Sequence, residues 1–183
     1  MKQRHARFAT LSLLAVLLAA APLGQAACNG ASINADTPDA RFTVANDTVT
    51  DLATGLVWKR CAEGLSGAGC ATGTAITGTW AEALARAAAV NAAPATLGAG
   101  SSDWRLPNRT ELASIVERKC VSPAINATVF PGTPSQSFWS SSPYALIPNL
   151  AWVVDFSAGD VTPAPLSGAR NIRLVRAGNQ GSL

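Results

Sequence analysis

Five arginines in the second half of the chain, Arg105, Arg109, Arg170, Arg173 and Arg176, are the side chains best equipped to recognise a ligand. A guanidinium presents a rigid fork of donors that meets a sulfate or carboxylate in two parallel bonds. Arg170 and Arg173 lie in and beside the polar turn before the last apolar run and are the first choice for such an anion, with Arg105 and Arg109 second. The competing reading pairs several of the five internally with Asp103, Glu111, Asp155 or Asp160. Trp139, followed by Ser140, Ser141 and Ser142, could form a sugar site from an aromatic face and hydroxyls. Equally, the ring could be core and the serines could bond to loop backbone. Asp155, Asp160 and Asn171 offer oxygens to calcium, but their spacing fits a hairpin turn as well, and no metal or other cofactor is expected.

Catalysis finds less support. The single histidine is His5, at the extreme N-terminus. A chain that loses it cannot run a Ser-His-Asp or Cys-His relay. Lys59 and Lys119 have no S-x-x-K context that would make either the base for a serine. A binding module is therefore expected rather than an enzyme.

The loss of His5 follows from the first 26 residues. Lys2, Arg4 and Arg7 precede an uncharged apolar run over residues 8–21, and Gly24 and Ala26 supply small residues at a cleavage position. That is the order of a bacterial-type secretory leader. We expect residues 1–26 to be a signal peptide, 27–41 an extended lead-in, 42–178 one domain and 179–183 a short tail. The apolar run is shorter than the roughly 20 residues of a membrane-spanning helix. None like it occurs later, so no transmembrane span is expected and the destination is secreted or periplasmic. Ala26-Ala27-Cys28 resembles the end of a lipobox, with Gln25 where leucine is expected; an outer-membrane lipoprotein anchored at Cys28 is the lesser reading.

Charge follows the leader. The chain has fourteen Lys plus Arg against eleven Asp plus Glu, and three of the bases but none of the acids precede Ala27, leaving eleven of each. A balanced exported domain gives no electrostatic reason to bind nucleic acid.

Cys28, Cys61, Cys70 and Cys120 all follow the leader, and an even set in an exported chain reads as a disulfide framework. Three pairings are open. The simplest joins Cys61 to Cys70 across the Gly-rich AEGLSGAG and leaves Cys28 to pin the N-terminus to Cys120. Chain-entropy arguments give these bridges about 2.7 and about 4.6 kcal/mol respectively.

The elements that must position these residues are partly signposted. Thr48–Asp51 and the run LVW at 56–58 flank a turn in which Gly55 supplies a positive φ, a hairpin signal with Trp58 as core anchor. Thr79 and Glu82 form a capping box before WAEALARAAAVNAA, with Trp80, Leu84 and Ala87 or Ala88 on the apolar face. A second helix starts at Asn108, with Glu111 three residues on and Leu112, Ile115 and Val116 as its stripe. It is expected to run out near Cys120, where Arg118 and Lys119 would complement the dipole. Residues 121–148 read as a long irregular loop region that packs down through isolated aromatics. AWVVDF, a turn at 157–160, a Pro-rich edge at 162–165 and NIRLVRAG as last strand complete an α+β reading with a mainly antiparallel sheet.

Six segments in order, TDLATGLVWKRC, the capped helix at Trp80, DWRLPNRTEL, FWSSSPY, AWVVDFSAGDV and IRLVRAG, closely resemble the Lcl C-terminal domain family over residues 42–178. The resemblance implies a fold akin to the C-type lectin and sulfatase-modifying-factor group. From the collagen-like adhesin that names the family, it also implies trimer formation and binding of sulfated glycosaminoglycans. This chain has no collagen repeat, no WND or EPN-type calcium signature and no recognisable cysteine pair of the formylglycine-generating enzymes. The partner expected from all this is a glycan, sulfated or otherwise acidic, or an envelope protein, with a homo-oligomer left open. A structural component of an envelope complex is the alternative, and an enzyme related to sulfatase-modifying factors the third reading.

Overall fold

A computed structural model describes residues 27–30, 32–97 and 99–178. The expected signal peptide and the tail at 179–183 lie outside the described residues. In chain order the first half holds β1 (Ala27–Cys28), β2 (Phe42–Ala45), β3 (Thr48–Asp51), β4 (Leu56–Lys59), β5 (Leu65–Ser66), β6 (Thr72–Gly73), β7 (Thr77–Gly78) and α1 (Trp80–Ala92). The second half holds α2 (Arg109–Ala113), β8 (Cys120–Val121), β9 (Ser137–Pro143), β10 (Leu150–Asp155), β11 (Asp160–Pro165), β12 (Arg170–Asn171) and β13 (Val175–Ala177).

These form an α+β fold. A five-stranded sheet runs β11-β10-β9-β12-β7, a four-stranded sheet runs β13-β4-β3-β2, and β1-β8 and β5-β6 are small separate pairs. Every pairing is antiparallel except β12 with β9. Because successive side chains on a strand point to opposite faces, neighbours feed two different cores. Trp58, Phe138, Val154 and Val175 join Phe42, Leu112, Ile125, Phe130 and Phe156 in one cluster. Val57, Trp139, Val153 and Leu174 join Ala83, Ala87, Val90 and Trp104 in the other.

Both capping boxes form: Thr79 with Glu82 and Asn108 with Glu111. The face of α1 differs from the expected one, however. Ala83, Ala87 and Val90 are buried and Leu84 is exposed, because small residues let the helix lie close to the sheet. The second helix is much shorter than expected. It ends at Ala113, where the Ser114 hydroxyl bonds back to the Glu111 carbonyl. Ile115 and Val116 are buried from a turn, Val116 bridges to Ile125, and Arg118 pairs with Asp36 instead of capping a helix.

Residues 121–148 are not all loop. FWSSSPY supplies β9, the middle strand of the larger sheet, which pairs with β10 on one side and β12 on the other. NIRLVRAG is two strands rather than one: Asn171 belongs to the larger sheet and Val175 to the smaller, and Ile172, Arg173 and Leu174 cross between them.

Cys61 pairs with Cys70 and Cys28 with Cys120, sequence separations of 9 and 92. The thioether of a lipoprotein would need the same Cys28 Sγ that bonds Cys120, so the lipobox reading gives way to the cross-link.

Candidate functional site

The sequence-predicted site residues do not converge on one site. Trp139 and Ser140 are wholly buried. The Trp139 indole donates to the Gly78 carbonyl at 2.8 Å, and the Ser140 hydroxyl donates to the Trp152 carbonyl at 2.7 Å. They tie β9 to β7 and β10, and neither can meet a sugar. Ser141 is half-buried and spends its amide on the Pro107 carbonyl at 2.7 Å.

Arg173 is likewise interior. One of its nitrogens donates to the Lys59 and Arg60 carbonyls at 2.9 and 2.6 Å, and the other donates to the Thr133 hydroxyl at 2.8 Å. Its guanidinium lies 5.0 Å from the Phe130 ring centre. Burial, offset in part by the Glu63 charge, pushes its pKa down to about 9. Polarity in a strand-like run suggested a surface arginine; the chain crossing between two sheets leaves carbonyls there that need an interior donor. Arg170 is half-exposed, donates to the Ala169 carbonyl and stands 6.0 Å from the Trp139 ring, near the Asp155 carboxylate.

Of the calcium candidates, Asp155 is taken up by protein donors, whereas Asp160 is exposed and the Asn171 Oδ1 is buried without a hydrogen-bond partner among the described residues. Asp155 accepts from the Ser137 hydroxyl and the Ser157 amide, both at 2.7 Å. Burial pushes its carboxyl up, and these bonds together with Arg170 hold it below its ordinary range. Asp160 faces it across the hairpin, as β-turn geometry requires, and Asn171 donates to Gln136. Gly159 takes φ +89°, and a Cβ there would come within 2.7 Å of Val116. Among the described residues no three His, Cys, Asp or Glu side chains converge.

Arg105 and Arg109 sit at the start of α2 and have different fates. Arg105 meets Glu111 through two bonds of 2.7 Å, which hold the Glu111 carboxyl low against the upward push of burial. Its charge is cancelled. Arg109 stays exposed and, among the described residues, makes no ion pair. Its amide donates to the Ser142 hydroxyl at 3.0 Å, fixing α2 against β9. Its guanidinium lies 4.7 Å from the centre of the Trp152 ring, and Trp152 meets Tyr144 edge to face at 5.1 Å.

The three side chains form a platform of two half-buried aromatic rings and one uncancelled cation, with Ser142 at its margin. Trp152 and Tyr144 escaped the sequence reading. The signal was in AWVVDF: Ala151 and Val153 point into one core, so Trp152 points the other way, toward α2 and beyond the margin of the second core.

A concavity of about 1410 Å³ lies elsewhere, lined by none of the three platform residues but by others that include Cys28, Thr37, Cys70, Glu117, Cys120 and Asn126. Its polar groups already serve the chain. Glu117 accepts from Thr37 and from the Asp36 and Lys119 amides, and Asn126 bonds Thr37, Asp39, Thr128 and Val129.

No curated protein matches the chain. The family description "Lcl C-terminal domain" matches residues 47–176, a span that contains Arg109, Tyr144 and Trp152 but begins after Cys28. By that match, over well beyond half its length and in the segments that build both sheets, the chain belongs to the Lcl C-terminal domain family.

Proposed function

We propose that this protein is an exported binding module and that the Arg109–Trp152–Tyr144 platform takes an acidic glycan. One observation carries the reading: an exposed guanidinium, without a carboxylate partner among the described residues, held 4.7 Å from the centre of a tryptophan ring. The apolar face of a sugar ring packs on an indole or phenol, and a sulfate or carboxylate on the same sugar finds the fork of Arg109. The groups around it support binding rather than catalysis, since the platform offers rings and a cation but no nucleophile beside a base. Two disulfides are compatible with a secreted or periplasmic location. Among the described residues no helix is long and apolar enough to cross a membrane.

Heparin chromatography at low salt, with thermal shifts across a panel of sulfated and uronic-acid oligosaccharides, tests this. A ligand at a hundred times its Kd raises stability by about 2.7 kcal/mol. The wild type is expected to be retained and stabilised, and R109A or W152A to lose both responses while R173K, if it folds, keeps them. Absence of retention and of any shift in the wild type, or retention unchanged in R109A, overturns the proposal.

A further inference from the structure

Next to the platform the β9–β10 connection carries two large apolar side chains into solvent. Leu146 is 80% and Ile147 47% exposed, and they are adjacent in the chain, whereas the other large exposed aliphatics of the described residues stand singly in the sequence. The loop is flanked by Pro143 and Pro148, and it closes on itself. The Tyr144 amide donates to the Leu150 carbonyl, the Ile147 amide to Tyr144 and the Leu150 amide to Ile147, at 2.9 to 3.2 Å. No Asp, Glu, Lys or Arg occurs from residue 120 to residue 154, so no charge in this loop would have to be stripped of water.

The side chains also follow one another in contact: Leu146 and Ile147 lie just along the chain from Tyr144, Tyr144 packs on Trp152, and Trp152 carries Arg109. Aliphatic, aromatic and cationic groups occur in the same order across the boundary of a bilayer with anionic headgroups, where Trp and Tyr occupy the interface and Arg the phosphate level. The amides of Tyr144, Ile147 and Leu150 are bonded within the loop, which lowers the cost of bringing this backbone to that boundary. Charge complementarity selects an anionic surface, because the loop is uncharged and Arg109, over Trp152, has no carboxylate partner among the described residues.

We propose that residues 144–149 are a docking loop that seats the protein on the surface of an anionic lipid bilayer, with Leu146 and Ile147 among the acyl chains and Arg109 at the lipid phosphates. This goes beyond the glycan reading and does not depend on it.

The test is sedimentation of the purified protein with vesicles of equimolar phosphatidylglycerol and phosphatidylcholine, and with vesicles of phosphatidylcholine alone. Tryptophan emission is followed in parallel; Trp58, Trp104 and Trp139 are buried, so a blue shift reports on Trp152 or Trp80. The wild type is expected to bind the anionic vesicles with a blue shift. The neutral double variant Leu146→Ser with Ile147→Ser lowers partitioning by at least about tenfold. Arg109→Gln removes the preference for anionic over neutral vesicles. Failure of the wild type to sediment with either vesicle, partitioning unchanged in the Ser/Ser variant, or a concentration-dependent dimer that the Ser/Ser variant dissociates in the absence of lipid would each overturn the proposal. Heparin retention of the Ser/Ser variant keeps the two readings apart: retained with vesicle binding lost supports both, whereas vesicle binding without heparin retention in the wild type removes the glycan alone.

Discussion

Two regions of the molecule spend their polar side chains in opposite ways. Around Cys28, Cys120 and residues 117–135 the strands are two residues long or absent, and side chains do what a ladder would otherwise do. Glu117 gathers the amides of Asp36, Thr37 and Lys119, Asn126 ties Thr37 and Asp39 to its own turn, and Thr133 links the Phe130 carbonyl to Arg173. Two disulfides close the same region. Around α2 and the β9–β10 hairpin, strands of seven and six residues satisfy their own backbone, and Arg109, Tyr144 and Trp152 are left facing outward. A backbone that pairs with itself releases side chains for recognition; an irregular one consumes them.

The sharpest way to break this contrast is to cut the longer cross-link. Replacing Cys28 and Cys120 together by Ser removes a closure spanning 92 residues and is expected to cost about 4 to 5 kcal/mol in urea unfolding. Heparin retention below the transition should survive, because the platform is built from other elements. A variant that loses retention while still folded would show that the two regions are one unit.

Arg173 comes next. R173A leaves the Lys59 and Arg60 carbonyls without their donor and opens a hole beside Phe130, a loss of about 3 kcal/mol by denaturant titration. A loss below about 1 kcal/mol would mean that the interior relaxes around it and that the donor is dispensable.

Glu117→Gln is smaller, about 1 to 2 kcal/mol, and carries a pH signature. Burial raises the Glu117 carboxyl, but the bonds from Thr37, Lys119 and Asp36 outweigh it and hold the group below the ordinary glutamate value near 4.5. With the folded pKa depressed, the unfolded chain binds the proton first as the solution is acidified. The stabilisation is therefore complete above about 4.5 and is lost below it. In unfolding curves, the gap between wild type and variant should be full at neutral pH and smaller near pH 3, and equal differences at both values would assign the effect to shape alone.

What the sequence discloses follows the same division. The hairpin at Gly55, both capping boxes and the Cys61–Cys70 bridge depend on local spacing, and local spacing points to them; Cys28–Cys120, 92 residues apart, follows only as the pair that remains. Neither β9 nor the burial of Arg173 has a local cause. Three serines in a row lack the alternation of a half-buried strand, and they become one because β10 and β12 lie on both sides. Arg173 is buried because it supplies the donors for acceptors that lie far off in the chain, the Lys59 and Arg60 carbonyls and the Thr133 hydroxyl. The platform was half legible: Arg109 stands out by type, whereas Trp152 is visible only once the parity of β10 is fixed by its neighbours.

The smallest expected effect sits on the platform itself. An exposed cation over an indole is worth about 0.5 to 1 kcal/mol, and Arg109 contributes nothing else to the folded state that its replacement would disturb, since its bond to Ser142 is made by the main-chain amide. A double-mutant cycle over R109A, W152A and the pair should give a coupling of that size in thermal or urea unfolding. The W152A arm alone will cost more, because the ring also packs on Tyr144. The same cycle read as heparin affinity should be far from additive: once either residue is gone, losing the other costs little, because ring and cation act on one ligand together. Coupling in stability much above about 1 kcal/mol, with additive losses in affinity, would place Arg109 among the residues that hold the fold and erase the difference between the two regions.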